Sequence, residues 1–170
     1  NPDPATEVCR GLGIVDGVSR LLVTGGAGFI GSNFVHWVLE RTESTVTVLD
    51  SLTYAGHRAS LAGLPEARLT FVEGSITDPT LVNDLTAEHD AVVHFAAESH
   101  NDNSLDGPAA FIETNIVGTF NLLQAVRQHG TRLHHISTDE VYGDLELEDP
   151  NRFSPSTPYN PSSPHPAPNA

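Results

Sequence analysis

The segment LLVTGGAGFIG at positions 21–31 limits the possible folds more than any other stretch of the chain. Leu21, Leu22, Val23 and Thr24 form a short apolar run of the kind that makes a buried strand. Gly25, Gly26, Gly28 and Gly31 follow, and an amphipathic helix is predicted over 29–41, with Ile30, Phe34 and Val38 at the i, i+4 spacing of a buried face. Glycines between a strand and a helix permit a tight turn, close approach of backbone to a pyrophosphate, and close packing of the helix on the sheet. The exposed N–H groups and the positive end of the helix dipole then hold an anion. Glycine turns join many kinds of elements, so context decides: Asp50 ends the next predicted strand, nineteen residues beyond Gly31. A carboxylate there accepts hydrogen bonds from ribose hydroxyls and repels a 2′-phosphate, which favours NAD over NADP.

The rest of the chain repeats the alternation. Strands are predicted over 46–50, 69–73, 91–96 and 133–137, the first of them rich in β-branched residues. Asp78 before Pro79 is an N-cap followed by proline at the first helical position, and starts a short helix. A long helix is predicted over 108–129, with Ile112, Ile116, Phe120 and Leu123 on one side and Gly130 as its stop. Strands alternating with helices imply parallel pairing through right-handed crossovers, hence an α/β, doubly wound (Rossmann-like) sheet with helices on both faces. Residues 1–19 lack periodicity and are expected to be a poorly ordered leader, with the dinucleotide-binding domain over 20–149. Seven of the twelve prolines fall in the last 21 residues, so 150–170 is expected to be a surface or disordered tail.

Composition narrows the partners. A net charge of −14 leaves little basic surface for nucleic-acid backbones or anionic membranes. A nucleotide ligand is compatible with it, because backbone N–H groups hold phosphate without cationic side chains. No apolar run reaches a membrane span, no signal peptide is evident, and the single Cys9 excludes an internal disulfide, so a cytoplasmic location is expected. The nine histidines show no zinc-like spacing; His134 and His135, adjacent in a strand, point to opposite faces, and no metal is expected. There is no Met, so the chain is expected either not to begin at an ordinary start codon or to have had its start removed, and there is no Lys, all eight basic residues being Arg.

TGGAGFIGSNF, DSLTYAG, FAAESH, TNIVGTFNLL and STDEVYGD together resemble the extended short-chain dehydrogenase/reductases, and within them the dTDP-glucose 4,6-dehydratase family, over about 20–164. The discriminating piece is Ser137-Thr138-Asp139-Glu140-Val141-Tyr142-Gly143 after the fifth strand. Adjacent carboxylates at the carboxyl end of a strand can divide general acid and general base work. Related epimerases lack the pair. The resemblance implies oxidation at C4 of the glucosyl unit by NAD, loss of water across C5–C6, and return of the hydride to C6, giving the 4-keto-6-deoxy sugar nucleotide. It assigns Glu140 to the C5 proton, Asp139 to the departing C6 hydroxyl and Thr138 to the C4 oxygen. It further implies cofactor contacts at Gly25, Gly28, Phe29, Ile30, Gly31, Asp50, Thr53, Ala55, Gly56, Ile76, Phe95, Ala96, Ala97, Thr114 and Ser137, and a substrate contact at Ser99 besides Thr138. A homodimer built on paired long helices is also implied, with an apolar stripe left on the 108–129 helix.

The resemblance fails toward the end. Tyr159-Asn160-Pro161-Ser162-Ser163-Pro164 is in register with the family segment that leads into a helix carrying a catalytic Tyr and, four residues later, a Lys. Here His165 and Asn169 stand at those positions, and Pro166 and Pro168 oppose a helix. A truncation or frame slip near Pro164 is therefore expected, with the substrate domain absent and this chain an inactive fragment. Ser75 replaces a usual Asp, and Asn101 and Asn103 replace Val and Arg. The alternatives are a non-catalytic NAD-binding fragment, or an epimerase or dehydratase acting on another nucleotide sugar.

Overall fold

The computed structural model describes residues 17–98, 108–145 and 152–161. Among the described residues five strands run in chain order: β1 (Arg20–Thr24), β2 (Thr45–Asp50), β3 (Leu69–Glu73), β4 (Ala91–His94) and β5 (Arg132–His135). They form one parallel sheet in the order β3-β2-β1-β4-β5, with Leu21 beside both Val46 and Ala91. The chain moves outward from β1 through β2 to β3, then returns to the other side of β1 for β4. This reversal places a crevice beyond the carboxyl ends of β1 and β4, the usual ligand position in open α/β sheets.

Side chains alternate across the sheet and build a core on each face. Leu21, Val23, Val46, Val48 and Val93 pack with Val35, Val38 and Leu39 of α1 (Phe29–Arg41). Leu22, Leu49 and Val92 pack on the opposite face with Val82 of α2 (Pro79–Ala87) and with Leu122 and Ala125 of α3 (108–129). Each such fully buried aliphatic side chain contributes roughly 2 kcal/mol. Helices on both faces of a parallel sheet bear out the doubly wound architecture. The predicted caps also hold. Asp78 accepts from the N–H groups of Thr80 and Leu81 ahead of Pro79, and Gly130 ends α3 at φ 68° with its N–H donating to the Val126 carbonyl.

Four details differ from the sequence expectations. The buried face of α1 is Gly31, Ser32, Val35, Val38 and Leu39; Phe34 is half-buried and Ile30 is 64 % exposed. The reason is the register of the first turn, where Gly31 sits against the glycine-turn backbone and leaves Ile30 at the crevice rim. β4 stops at His94 and β5 at His135, short of the predicted ends, because β1 turns away at Gly25 and removes the neighbour on which β4 would continue. The middle of α3, Ile112–Gly118, is widened into π turns rather than regular α-helix. Val18, assigned by sequence to the leader, is buried in the α1-side core.

Candidate functional site: a crevice at the carboxyl ends of the strands

The crevice has a volume of about 770 Å³, within the range of small-molecule sites. Its centre is the turn between β1 and α1. Gly25 adopts φ 71°, and its N–H donates to the Leu49 carbonyl at 2.9 Å. A Cβ on Gly25 would stand 2.6 Å from the Ala96 backbone nitrogen, so any side chain collides with the segment after β4. A Cβ at Gly28 would meet only the Gly25 carbonyl at 3.3 Å and the Ala55 carbonyl at 3.9 Å, on the crevice side. The turn therefore leaves a cradle of bare backbone at the start of α1, which suits a diphosphate.

Asp50 ends β2 and is only 7 % exposed. Its Oδ2 accepts the Ala27 N–H and its Oδ1 accepts the Leu52 N–H, each at 2.9 Å. One carboxylate thus ties the glycine turn to the loop after β2. Leu52 takes a left-handed φ of 50°, and the His57 N–H returns to the Ala27 carbonyl at 3.0 Å. Thr53, Ala55 and Gly56 of that loop form the same wall.

The opposite wall comes from the segment after β4 and from α3. Phe95, Ala96 and Ala97 line it, with Ile76 and Thr114 completing the floor. Within the π turns of α3, Asn115 is 2 % exposed and grips Glu98. Its Oδ1 accepts the Glu98 N–H at 2.8 Å and its Nδ2 donates to the Glu98 carbonyl at 3.0 Å. Beneath the site, His94 is buried between the hydroxyls of Thr24 (2.7 Å) and Thr119 (3.1 Å). Burial, assisted by the neighbouring His135, pushes its pKa down to about 3, so the ring is neutral.

The far end of the crevice is the segment after β5. Ser137, Thr138 and Asp139 line it. The Thr138 hydroxyl accepts the Glu140 N–H at 3.3 Å, capping a short 3₁₀ turn, Asp139–Tyr142, and lies 3.5 Å from Asp139 Oδ1. Asp139 and Glu140 are exposed, and Glu140 stands beyond the lining. Val141 is buried below them, and Tyr142 stacks on Phe153 and packs tilted against Tyr159.

All fifteen positions named for the cofactor, together with Thr138 and Asp139, surround this one crevice: Gly25, Gly28, Phe29, Ile30, Gly31, Asp50, Thr53, Ala55, Gly56, Ile76, Phe95, Ala96, Ala97, Thr114 and Ser137. Ser99 lies outside the described residues, as do Asn101, Asn103, His165 and Asn169. The lining also includes Ser51, Gly74 and Glu98, which sequence reasoning missed. Ser51 and Gly74 each follow the last residue of a strand, so extending the carboxyl-end rule strand by strand would have found them. Ser75, noted only as a departure, lines the crevice with its Oγ 2.8 Å from Thr77 Oγ1. Among the described residues, no three His, Cys, Asp or Glu side chains gather as metal ligands.

With this geometry in hand, the similarities to known proteins are specific. The chain is 67 % identical over 149 residues to dTDP-glucose 4,6-dehydratase of Mycobacterium tuberculosis, covering 87 % of this chain and 45 % of that protein. It is 48 % identical over 168 residues to dTDP-glucose 4,6-dehydratase 1 of Escherichia coli, covering 87 % and 46 %. The crystal structure of a dTDP-glucose 4,6-dehydratase from Streptomyces venezuelae with NAD bound superposes with a TM-score of 0.81 at 49 % identity, over 88 % of this chain and 48 % of that one. A UDP-glucose 4-epimerase from Thermus thermophilus in complex with NAD gives 0.76 at 35 % identity, over 88 % and 47 %. The chain thus spans about half the length of the relatives it matches. Its residues 22–167 match the family model for GDP-mannose 4,6 dehydratase, and the protein belongs to that family.

Proposed function

We propose that this chain is the NAD-binding portion of a dTDP-glucose 4,6-dehydratase, carrying the acid–base residues of the elimination but not the complete active site. The observation that carries the reading is that Thr138 and Asp139 close the same crevice that the glycine turn and Asp50 open. The residues fit NAD: the turn offers bare backbone at the start of a helix, and Gly28 leaves the space a diphosphate needs. Each Asp50 oxygen already accepts one backbone N–H and keeps acceptor capacity for a ribose hydroxyl. The same carboxylate repels a 2′-phosphate. When bound, NAD supplies a hydride acceptor at the sugar C4 and returns the hydride at C6.

The chain's own residues handle protons. The Thr138 hydroxyl hydrogen-bonds the C4 oxygen of the sugar, Asp139 donates a proton to the C6 hydroxyl as it leaves as water, and Glu140 removes the C5 proton. The carboxylate pair favours a dehydratase over the epimerases that share the fold. With no Lys in the chain, the Tyr and Lys pair that the resemblance requires for C4 oxidation cannot form from these residues. The same absence favours the second reading, a chain that binds NAD and by itself catalyses nothing.

The assembly proposed is a homodimer on α3. Ile112, Ile116, Phe120 and Leu123 are each about half exposed on the side turned from the sheet, where an apolar stripe invites a partner. Sedimentation should show a dimer that Phe120→Asp dissociates; a monomer at all concentrations removes this part. A cytoplasmic location is proposed on the single Cys and on the absence, among the described residues, of a helix long and apolar enough to cross a membrane. The cofactor reading is tested by calorimetry: heat on titrating NAD, and none with NADP at equal concentration, is expected. Equal affinity for the two would remove Asp50 from the reading.

A further inference from the structure

Two loops meet across the crevice in a way that neither the glycine turn nor the carboxylate pair requires. Tyr54 lies in the loop after β2, and Glu98 lies in the segment after β4. β1 stands between those two strands in the sheet. The Tyr54 hydroxyl nevertheless donates to Glu98 Oε2 at 3.1 Å. That bond necessarily crosses the carboxyl end of β1, where the glycine turn opens.

Both ends of the bond are anchored. On the β2 side, the loop is fixed by the Asp50 carboxylate at Leu52 and by the His57 N–H at the Ala27 carbonyl. On the β4 side, the buried Asn115 amide holds the Glu98 N–H and carbonyl together. The link therefore joins two stiff walls. The Tyr54 ring is 46 % exposed, so it can swing outward when the bond breaks.

We propose that the hydrogen bond between Tyr54 and Glu98 is a strap across the diphosphate position, which opens to admit a dinucleotide and closes to retain it. The proposal rests on the crevice being a dinucleotide site. A strap present in both the free and the loaded protein slows capture and release alike, and leaves affinity nearly unchanged. A side chain that merely touched the ligand would alter release alone.

The test uses the full chain with NADH as the probe, following capture by stopped-flow fluorescence and release by displacement with excess NAD. Tyr54→Phe should speed both steps by about five-fold, the factor expected of one exposed hydrogen bond, with Kd within about two-fold. Glu98→Ala should do the same, and the double variant should be no faster than either single one. Glu98→Gln keeps an acceptor and should stay slow. Unchanged rates in Tyr54→Phe, faster release with unchanged capture, or effects that multiply in the double variant would overturn the strap while leaving the dinucleotide reading intact. Glu98→Gln exchanging as fast as Glu98→Ala would assign the effect to charge and also overturn it. Failure of the unmodified chain to bind NADH would overturn the dinucleotide reading and the strap together.

Discussion

The two ends of the crevice are built differently. At the glycine end, Asp50 is buried with both oxygens occupied by backbone donors, and Gly25 lies against the Ala96 backbone. Its strands, β1 and β2, have neighbours on both sides. At the other end, Thr138, Asp139 and Glu140 follow β5, the last strand of the sheet among the described residues. Asp139 and Glu140 are exposed there, and the local bonds are 3.3 and 3.5 Å long. The glycine end is thus part of the folded core. The carboxylate end rests on Val141 and on the packing of Tyr142 against Phe153 and Tyr159, and its carboxylates stand exposed rather than in the core. On the proposed roles, binding and stability are coupled at the first end, and chemistry is separable from stability at the second.

Substitutions should expose that asymmetry. Gly25→Ala should have the largest effect, lowering the free energy of unfolding by about 2–5 kcal/mol in urea titration, from a left-handed backbone and a backbone collision. A loss below about 0.5 kcal/mol would mean the turn is not rigid. Asp50→Ala should follow at about 2–4 kcal/mol, because one buried and one part-buried N–H group lose their acceptor, and NAD binding should fall with it. An intact affinity in that variant would break the link between core and cofactor.

The buried His94 gives a pH signature of the same end. Its folded pKa, about 3, lies below the ordinary value of 6.5. Below pH 6.5 the unfolded chain takes up a proton that the folded ring refuses, so stability falls as pH drops from 6.5 toward 3. The slope should be roughly 1 kcal/mol per pH unit, with no contribution from this group above 6.5. His94→Gln should flatten that slope; an unchanged slope would show that the ring is protonated in the fold. Smallest of all, Asp139→Asn and Glu140→Gln should shift stability by less than about 0.5 kcal/mol and leave NAD affinity unaltered. A large destabilisation would erase the distinction between the two ends.

What could be read from the sequence follows the same division. β1, the glycine turn, Asp50, the Asp78 cap and the Gly130 stop are local signals, each contained within a few residues. Spacing alone places Ile30, Phe34 and Val38 on the buried face of α1, but of these only Val38 is fully buried, beside Val35 and Leu39. Only the contact of Gly31 with the turn chooses between the two faces. The early ends of β4 and β5 depend on where their neighbours stop, which no local pattern encodes. Glu98 escaped notice because its place is set by Asn115, seventeen residues away in a π-widened turn.

On the proposed reading, these residues hold NAD without completing the catalyst. The most direct test is to titrate NAD into the purified chain by calorimetry and to assay the same sample for conversion of dTDP-glucose. Saturable NAD binding, lost in Gly28→Val, is expected with no 4-keto-6-deoxy product. Product from this chain alone, or equal heats from Gly28→Val and the unmodified chain, would contradict it.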